Sequence, residues 1–298
     1  MNVSQALRKK EMFRLLTSKA SKAKSEMKFY FAKNVRASQP SAISLEDQEI
    51  VNLLRTEGVA ITNLEALSPG FCAKILKAAD AKLTELKSTH PFSKADYYQP
   101  PLIQTIRYPS PFLDAHLEQR ILQIIESYLG LPTALEEVQI RWDFSNNSQA
   151  QTLLWHRDGN CRKIIKVFIY PRDILESQGP FEYIPKQSLR SKRLRLRIYW
   201  RVWQTKFRGL DNESMRQLVP ESHWKLCPVS AGTVIIAAVQ EIYHHGTTRK
   251  CDRPALFYVY TASPPRSLDL FRDYLTRLKQ VIFPPPGCLS KAVDVIDI

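Results

Sequence analysis

The chain has 298 residues, 44% of them hydrophobic, enough to bury an ordinary core as one large domain or two small ones. Its net charge of +14 is concentrated: residues 1–38 hold +8, residues 186–208 hold +9, and the remainder carries a net −3, which argues against a uniformly basic nucleic-acid binder. No apolar run reaches the ~18 residues of a membrane span. The N-terminus also lacks the apolar core of a secretory signal. Five cysteines without metal spacing read as free thiols of a reducing, cytoplasmic compartment.

In chain order, residues 1–38 form a basic, helical extension ending in a linker at Ala37-Ser38-Gln39-Pro40. A single domain is expected over 39–298. Ser44, with Asp47 three residues later, reads as a helix start, Ile50, Leu53 and Leu54 as its apolar stripe, and Gly58 as its stop. Val59-Ala60-Ile61 begins a strand. Phe71, Ile75, Ala79, Leu83 and Leu86 mark a second amphipathic helix, and Leu117, Ile121, Ile124, Ile125 and Tyr128 a third, closed by Gly130. The texture then changes to short β-branched and aromatic runs: 138–144, 152–158, 164–170, 181–184, 233–239 and 256–262. Helices followed by antiparallel-type strands indicate an α+β fold with a sandwich or barrel core at about 136–263. A basic insert at 186–230 interrupts the strands. Within it Asp211-Asn212-Glu213-Ser214 reads as a capped helix start.

The chemistry is concentrated in TLLWHRDGNCRK, residues 152–163. On a strand His156 and Asp158 project to one face, so an imidazole and a carboxylate aim at one point. Two histidines and one carboxylate on one face form the iron(II) site of non-haem oxygenases. The third ligand has a source in IYHHGTTRKCDRPALFYVY, residues 242–260, where His244 and His245 end one strand and Arg253 starts the next. A guanidinium there suits a dicarboxylate.

The segment WHRDGNCRKIIKVFIYPRDILESQGPFEYIPKQS closely resembles the HxD region of the phytanoyl-CoA dioxygenase family of Fe(II)/2-oxoglutarate oxygenases. Gly179-Pro180 through Pro185 match that family's G-P-x-x-x-x-P, but Lys186-Gln187-Ser188 replaces its Gly-Ser-His ending. AGTVIIAAVQEIYHHGTTRKCDRPAL resembles the family's distal segment, and the likeness runs from about Leu45 to Ser263. It implies a double-stranded β-helix (jelly roll, cupin-like) flanked by helices, and the cofactors Fe(II), 2-oxoglutarate and O2. It also implies a metal set of His156, Asp158 and a distal histidine. Either His244 or His245 can serve. The alignment of Gly246 without a gap favours His244. Arg253 is the 2-oxoglutarate arginine in this reading, with Arg249 as the alternative.

Lys166, Phe168 and Tyr170 share one face of their strand, and Phe168 aligns with a family position beside the cosubstrate. Phe168 and Lys166 are therefore further cofactor-binding candidates, although Lys166 on a solvated face is equally open. Arg141, on the same face as Gln139 and Asp143, is a weaker candidate and reads rather as a structural ion pair. The expected function is hydroxylation of a C–H bond in a small-molecule or acyl-type substrate. Asp158 stands where related halogenases have a small residue. The partner expected is a small-molecule or carrier-linked substrate, its anionic group received by residues 186–208. A non-catalytic binding module for anionic partners is the alternative, against which the complete ligand set argues.

Overall fold

The structure, a computed structural model, describes residues 43–88, 101–106, 110–112, 115–131, 133–146, 148–159, 163–205 and 208–262. The basic extension 1–38, two of the cysteines (Cys161 and Cys288) and the C-terminal tail lie outside them. Helix α1 (Leu45–Thr56) starts where Ser44 Oγ accepts the Asp47 N–H at 3.1 Å, the capping expected from the sequence. Gly58, at φ +84°, turns the chain into strand β1 (Val59–Asn63). It also admits close packing, because a Cβ there would collide with Ile242 and lie 2.8 Å from the Lys186 side chain. Helices α2 (Leu64–Leu67) and α3 (Cys72–Ser88), strand β2 (Leu102–Ile106) and helix α4 (Ala115–Leu129) complete the first half.

The second half supplies β3 (Thr133–Asp143), β4 (Ile164–Ile169), β5 (Phe181–Ile184), helices α5 (Lys192–Trp203) and α6 (Asn212–Arg216), and β6 (Lys225–Cys227). It ends with β7 (Thr233–Ala237), β8 (Tyr243–Gly246) and β9 (Arg253–Ala262). Two antiparallel sheets result, one ordered β1-β7-β4-β9-β3-β2 and one ordered β6-β5-β8. This is the helix-flanked jelly roll of an α+β protein. The larger sheet draws β1 and β2 from the helical half, so the core extends beyond the 136–263 expected. Residues 152–158 are also not a continuous strand. A 3-10 turn at Gln151–Leu153 precedes isolated bridges at Trp155 and His156.

Alternation along β4 explains the layering. Ile165, Val167 and Ile169 join Val234, Ile236 and Leu256 beneath the buried stripes of α1, α3 and α4. Phe168 and Tyr170 face the other way, into a cluster with Ile235, Ala255, Phe257, Phe181 and Tyr183 between the sheets. A period of two on a sheet covered on both faces puts apolar residues at nearly every position, as here. The insert packs as a third cluster, in which Ile198, Leu210, Met215 and Val219 surround Trp155 and Tyr243. Asp211 caps α6 through Oδ1, which accepts the Ser214 N–H at 2.7 Å. No helix among the described residues is long and apolar enough to cross a membrane.

Candidate metal centre

Trp155 and Tyr243 stand immediately before the residues that carry the chemistry. His156 and His244 exchange both backbone hydrogen bonds at 3.0 Å, which makes them a directly opposed pair with side chains on one face. Their ring centroids lie 4.5 Å apart. The Asp158 N–H donates to Val239 O at 3.1 Å, so the turn just beyond β7 also fixes the carboxylate end of the motif. Asp158 Oδ1 then lies 3.4 Å from His156 Nε2 and 3.6 Å from His244 Nε2. One ligand atom from each of the three residues falls within 4.8 Å of the others.

The protonation states suit a cation. His156 Nδ1 lies 2.7 Å from Leu154 O, a contact in which Nδ1 carries a proton, and its Nε2 faces the Asp158 carboxylate. Burial, reinforced by nearby His156 and Lys166, holds His244 well below the usual imidazole range, so it is neutral. Burial would raise Asp158, but the His156 hydrogen bond together with Lys166 and His244 outweighs it and keeps the carboxyl ionised far below its usual range. Two imidazoles and one carboxylate are the donor set of a non-haem iron site.

His245 is placed differently. Its Nδ1 contacts Leu153 O and its Nε2 contacts Glu182 Oε2, both at 2.8 Å, and its ring stacks on Trp155 at 4.0 Å between centroids. It is fully buried and turned away from Asp158. Glu182 was not foreseen. It opposes His245 in the β5–β8 register, and strand register has no signature in the sequence.

Lys166 projects to the site, where its Nζ lies 2.6 Å from Asp158 Oδ2. Phe168 sits between Phe181 and Phe257, at 5.1 and 4.9 Å between centroids. Arg253 faces Asp143 across β9 and β3, with its Nη2 2.7 Å from Asp143 Oδ2, and also donates to Gly179 O. Asp143 is shared. Arg141 Nε approaches its Oδ1 at 2.6 Å and Arg249 Nη1 its Oδ2 at 3.2 Å. One carboxylate thus faces three guanidiniums. Gly179 makes the enclosure possible. At φ +64° it admits no Cβ, which would strike Thr247 O and lie 2.8 Å from Arg249 Cβ. Gly246, two residues beyond His244, lies against the same guanidinium, since a Cβ would come 3.1 Å from Arg253 Nη2. Lys186, the first charge of the insert, is not available to a ligand. It binds Glu241 Oε2 at 2.7 Å and donates to Tyr128 Oη and Leu54 O.

No family model matches the chain, and no curated protein matches it. Among solved structures it is similar to HygX from Streptomyces hygroscopicus with nickel and 2-oxoglutarate bound, with TM-score 0.50, 13% identity, and coverage of 75% of this chain and 88% of that one. AviO1 from Streptomyces viridochromogenes Tue57 gives TM-score 0.49 at 16% identity over 75% of this chain and 98% of that one. EctD from S. alaskensis gives 0.49 at 19% over 76% and 79%. The likeness to HygX is one of fold.

Proposed function

We propose that this protein is an Fe(II)- and 2-oxoglutarate-dependent dioxygenase that hydroxylates a C–H bond of a small-molecule or acyl-type substrate in the cytoplasm. The observation that carries the reading is the convergence of one ligand atom each from His156, Asp158 and His244 on one point, with His244 neutral and Asp158 ionised. The neighbour HygX holds nickel and 2-oxoglutarate in its crystal, which supports a metal and a keto acid in a fold of this kind. Bound iron, with 2-oxoglutarate as electron donor, would supply the oxidising power for O2 chemistry.

The chain's own residues do the rest. His156 and His244 donate through Nε2 and Asp158 through its carboxylate. Leu154 O orients His156, and Lys166 orients Asp158 through the oxygen that faces its ammonium. Arg253, with Arg249 beside it, would hold the far carboxylate of bound 2-oxoglutarate. The guanidiniums gathered around Asp143 favour an incoming anion. Phe168 and its aromatic neighbours line the space between the sheets and exclude water, which strengthens every charge interaction there.

The test is spectroscopic. Full-length protein loaded anaerobically with Fe(II) and 2-oxoglutarate should develop a visible metal-to-ligand charge-transfer band, and admission of O2 should release CO2 and succinate. A folded, iron-loaded sample without the band overturns the proposal.

A further inference from the structure

Helix α5 is the least self-contained element of the fold. Only Ile198 is buried, and Leu194 and Val202 are partly buried, so a single row spaced by four residues attaches the helix to the body. With about 100° between successive residues, the opposite side of the helix carries Leu196, Tyr199, Trp200 and Trp203. These occupy i, i+3, i+4 and i+7, one continuous ridge pointing straight outward. All four are open to solvent, with Trp200 53% and Trp203 62% exposed. Their aromatic rings pack on one another, at 6.4 Å for Tyr199–Trp200 and 5.7 Å for Trp200–Trp203. Every exposed aromatic among the described residues is on this helix.

The charges flank the ridge. Arg193 and Arg197 follow one side of it and Arg195 lies on the other, with Lys192 at the start, while Arg201 falls towards the body of the protein. The helix has no acidic residue. Arg201 donates to the Gln217 amide at 3.2 Å, and none of the five cations forms an ion pair among the described residues. An aromatic ridge left in water beside unpaired cations is unfavourable unless something covers it.

We infer that this helix docks on an anionic lipid surface, lying in its plane with the Leu196/Tyr199/Trp200/Trp203 ridge among the acyl-chain ends of the headgroups. Trp and Tyr settle at that depth because the ring is apolar and its N–H or O–H meets water and headgroups. The guanidiniums on both flanks reach the phosphates at the same level. Three features favour a bilayer over a protein partner. The ridge is convex and offers no pocket for a partner's anchor residue. Its hydrogen-bonding capacity is one phenol and two indole N–H groups, few for an interface that needs about one bond per 100–200 Å2. Its cations lie on both sides of the apolar stripe, as a planar charged surface requires.

The experiment uses full-length protein without iron or 2-oxoglutarate, so it stands apart from the enzymatic reading. Vesicles of phosphatidylcholine with and without 30 mol% phosphatidylserine, a proportion of roughly the anionic content of a cytoplasmic leaflet, are floated with the protein. Intrinsic tryptophan emission is recorded in parallel. Wild type is expected to float with the anionic vesicles only, with a blue shift, and to be released by salt. Trp200→Ser/Trp203→Ser should abolish the shift and lower partitioning more than tenfold. Arg193→Gln/Arg195→Gln/Arg197→Gln should lower it on the order of 100-fold, about fivefold per cation. Circular dichroism of both variants must match wild type. Leu196→Ser alone, a milder change, serves as a second probe if either multiple variant misfolds. Equal binding to neutral vesicles overturns the inference. So does undiminished binding by the folded variants, which would assign it to another basic segment, or saturable binding to RNA or to an acidic protein with none to vesicles.

Discussion

His244 and His245 are the same side chain one residue apart, and the fold gives them opposite neighbours. His244 points at Asp158, and His245 points at Glu182 across the smaller sheet. His244→Ala is therefore expected to abolish Fe(II) binding, measured by anaerobic titration calorimetry, with little loss of stability. His245→Ala should keep the metal donors but strand the Glu182 carboxylate, destabilising the protein by about 3 kcal/mol in urea. If His245→Ala alone loses iron, the assignment reverses. Metal binding gives a second readout. A site filled at 100 times its dissociation constant adds about 2.7 kcal/mol to unfolding free energy. Fe(II) should raise the melting temperature of wild type, and Asp158→Ala should abolish that rise. Arg253→Leu should spare the metal-linked rise but weaken 2-oxoglutarate by about 2–5 kcal/mol. Because Arg141 and Arg249 still pair with Asp143, the fold should hold. An unchanged affinity would move the role to Arg249 or Lys166. The residue types at this site were legible because His156, Asp158 and Arg253 occur at informative spacings. Their partners were not, since Leu154 O is a backbone atom and Glu182 reaches His245 only through register.

At the scale of elements, periodicity revealed the helices well. Apolar stripes at 50–54, 71–86 and 117–128 each became a helix, and Gly58 and Gly130 end two of them at positive φ. Strands were legible where β-branched runs are long. Three were not recognised or were misjudged. β2 and β6 are short, and residues 152–158 are bent by a 3-10 turn, so only two bridges present His156. The pairing of β3 with β9 also escaped the sequence, although it determines the most charged contact in the core. Asp143 opposes Arg253 and binds Arg141 and Arg249 as well. Burial would raise this carboxyl, but Arg253, Arg141 and Arg249 outweigh it and hold it far below the usual range. Asp143→Asn removes the carboxylate that three guanidiniums share at the end of that strand pair. The expected loss is about 3–5 kcal/mol at pH 7, read from urea unfolding. A variant as stable as wild type would show that solvent neutralises the cluster.

For the molecule as a whole, the order of elements pointed to an α+β fold, but the closure of two sheets into a jelly roll came only from resemblance, because long-range pairing leaves no local mark. Glu241 shows how such distant segments are fastened. It lies between β7 and β8 and binds Lys163 just before β4 and Lys186 just after β5, each within 2.8 Å. Burial pushes its carboxyl up, yet the hydrogen bonds from Lys163 and Lys186 outweigh that and hold it at about 2, below its ordinary 4.5. A depressed folded value means that its stabilisation is complete above about pH 4.5 and disappears as pH falls towards 2. Asp143 acts in the same direction. The urea midpoint of wild type should thus fall steeply below about pH 4.5, as these carboxylates take up protons that the folded state excludes. Glu241→Gln should lower stability at pH 7 by about 1–2 kcal/mol, the figure being reduced because Lys163 is exposed and solvent screens it. The two proteins should converge as pH falls below about 2, where the wild-type carboxylate is itself largely protonated. A constant difference across that range would mean that Glu241 acts through packing rather than charge.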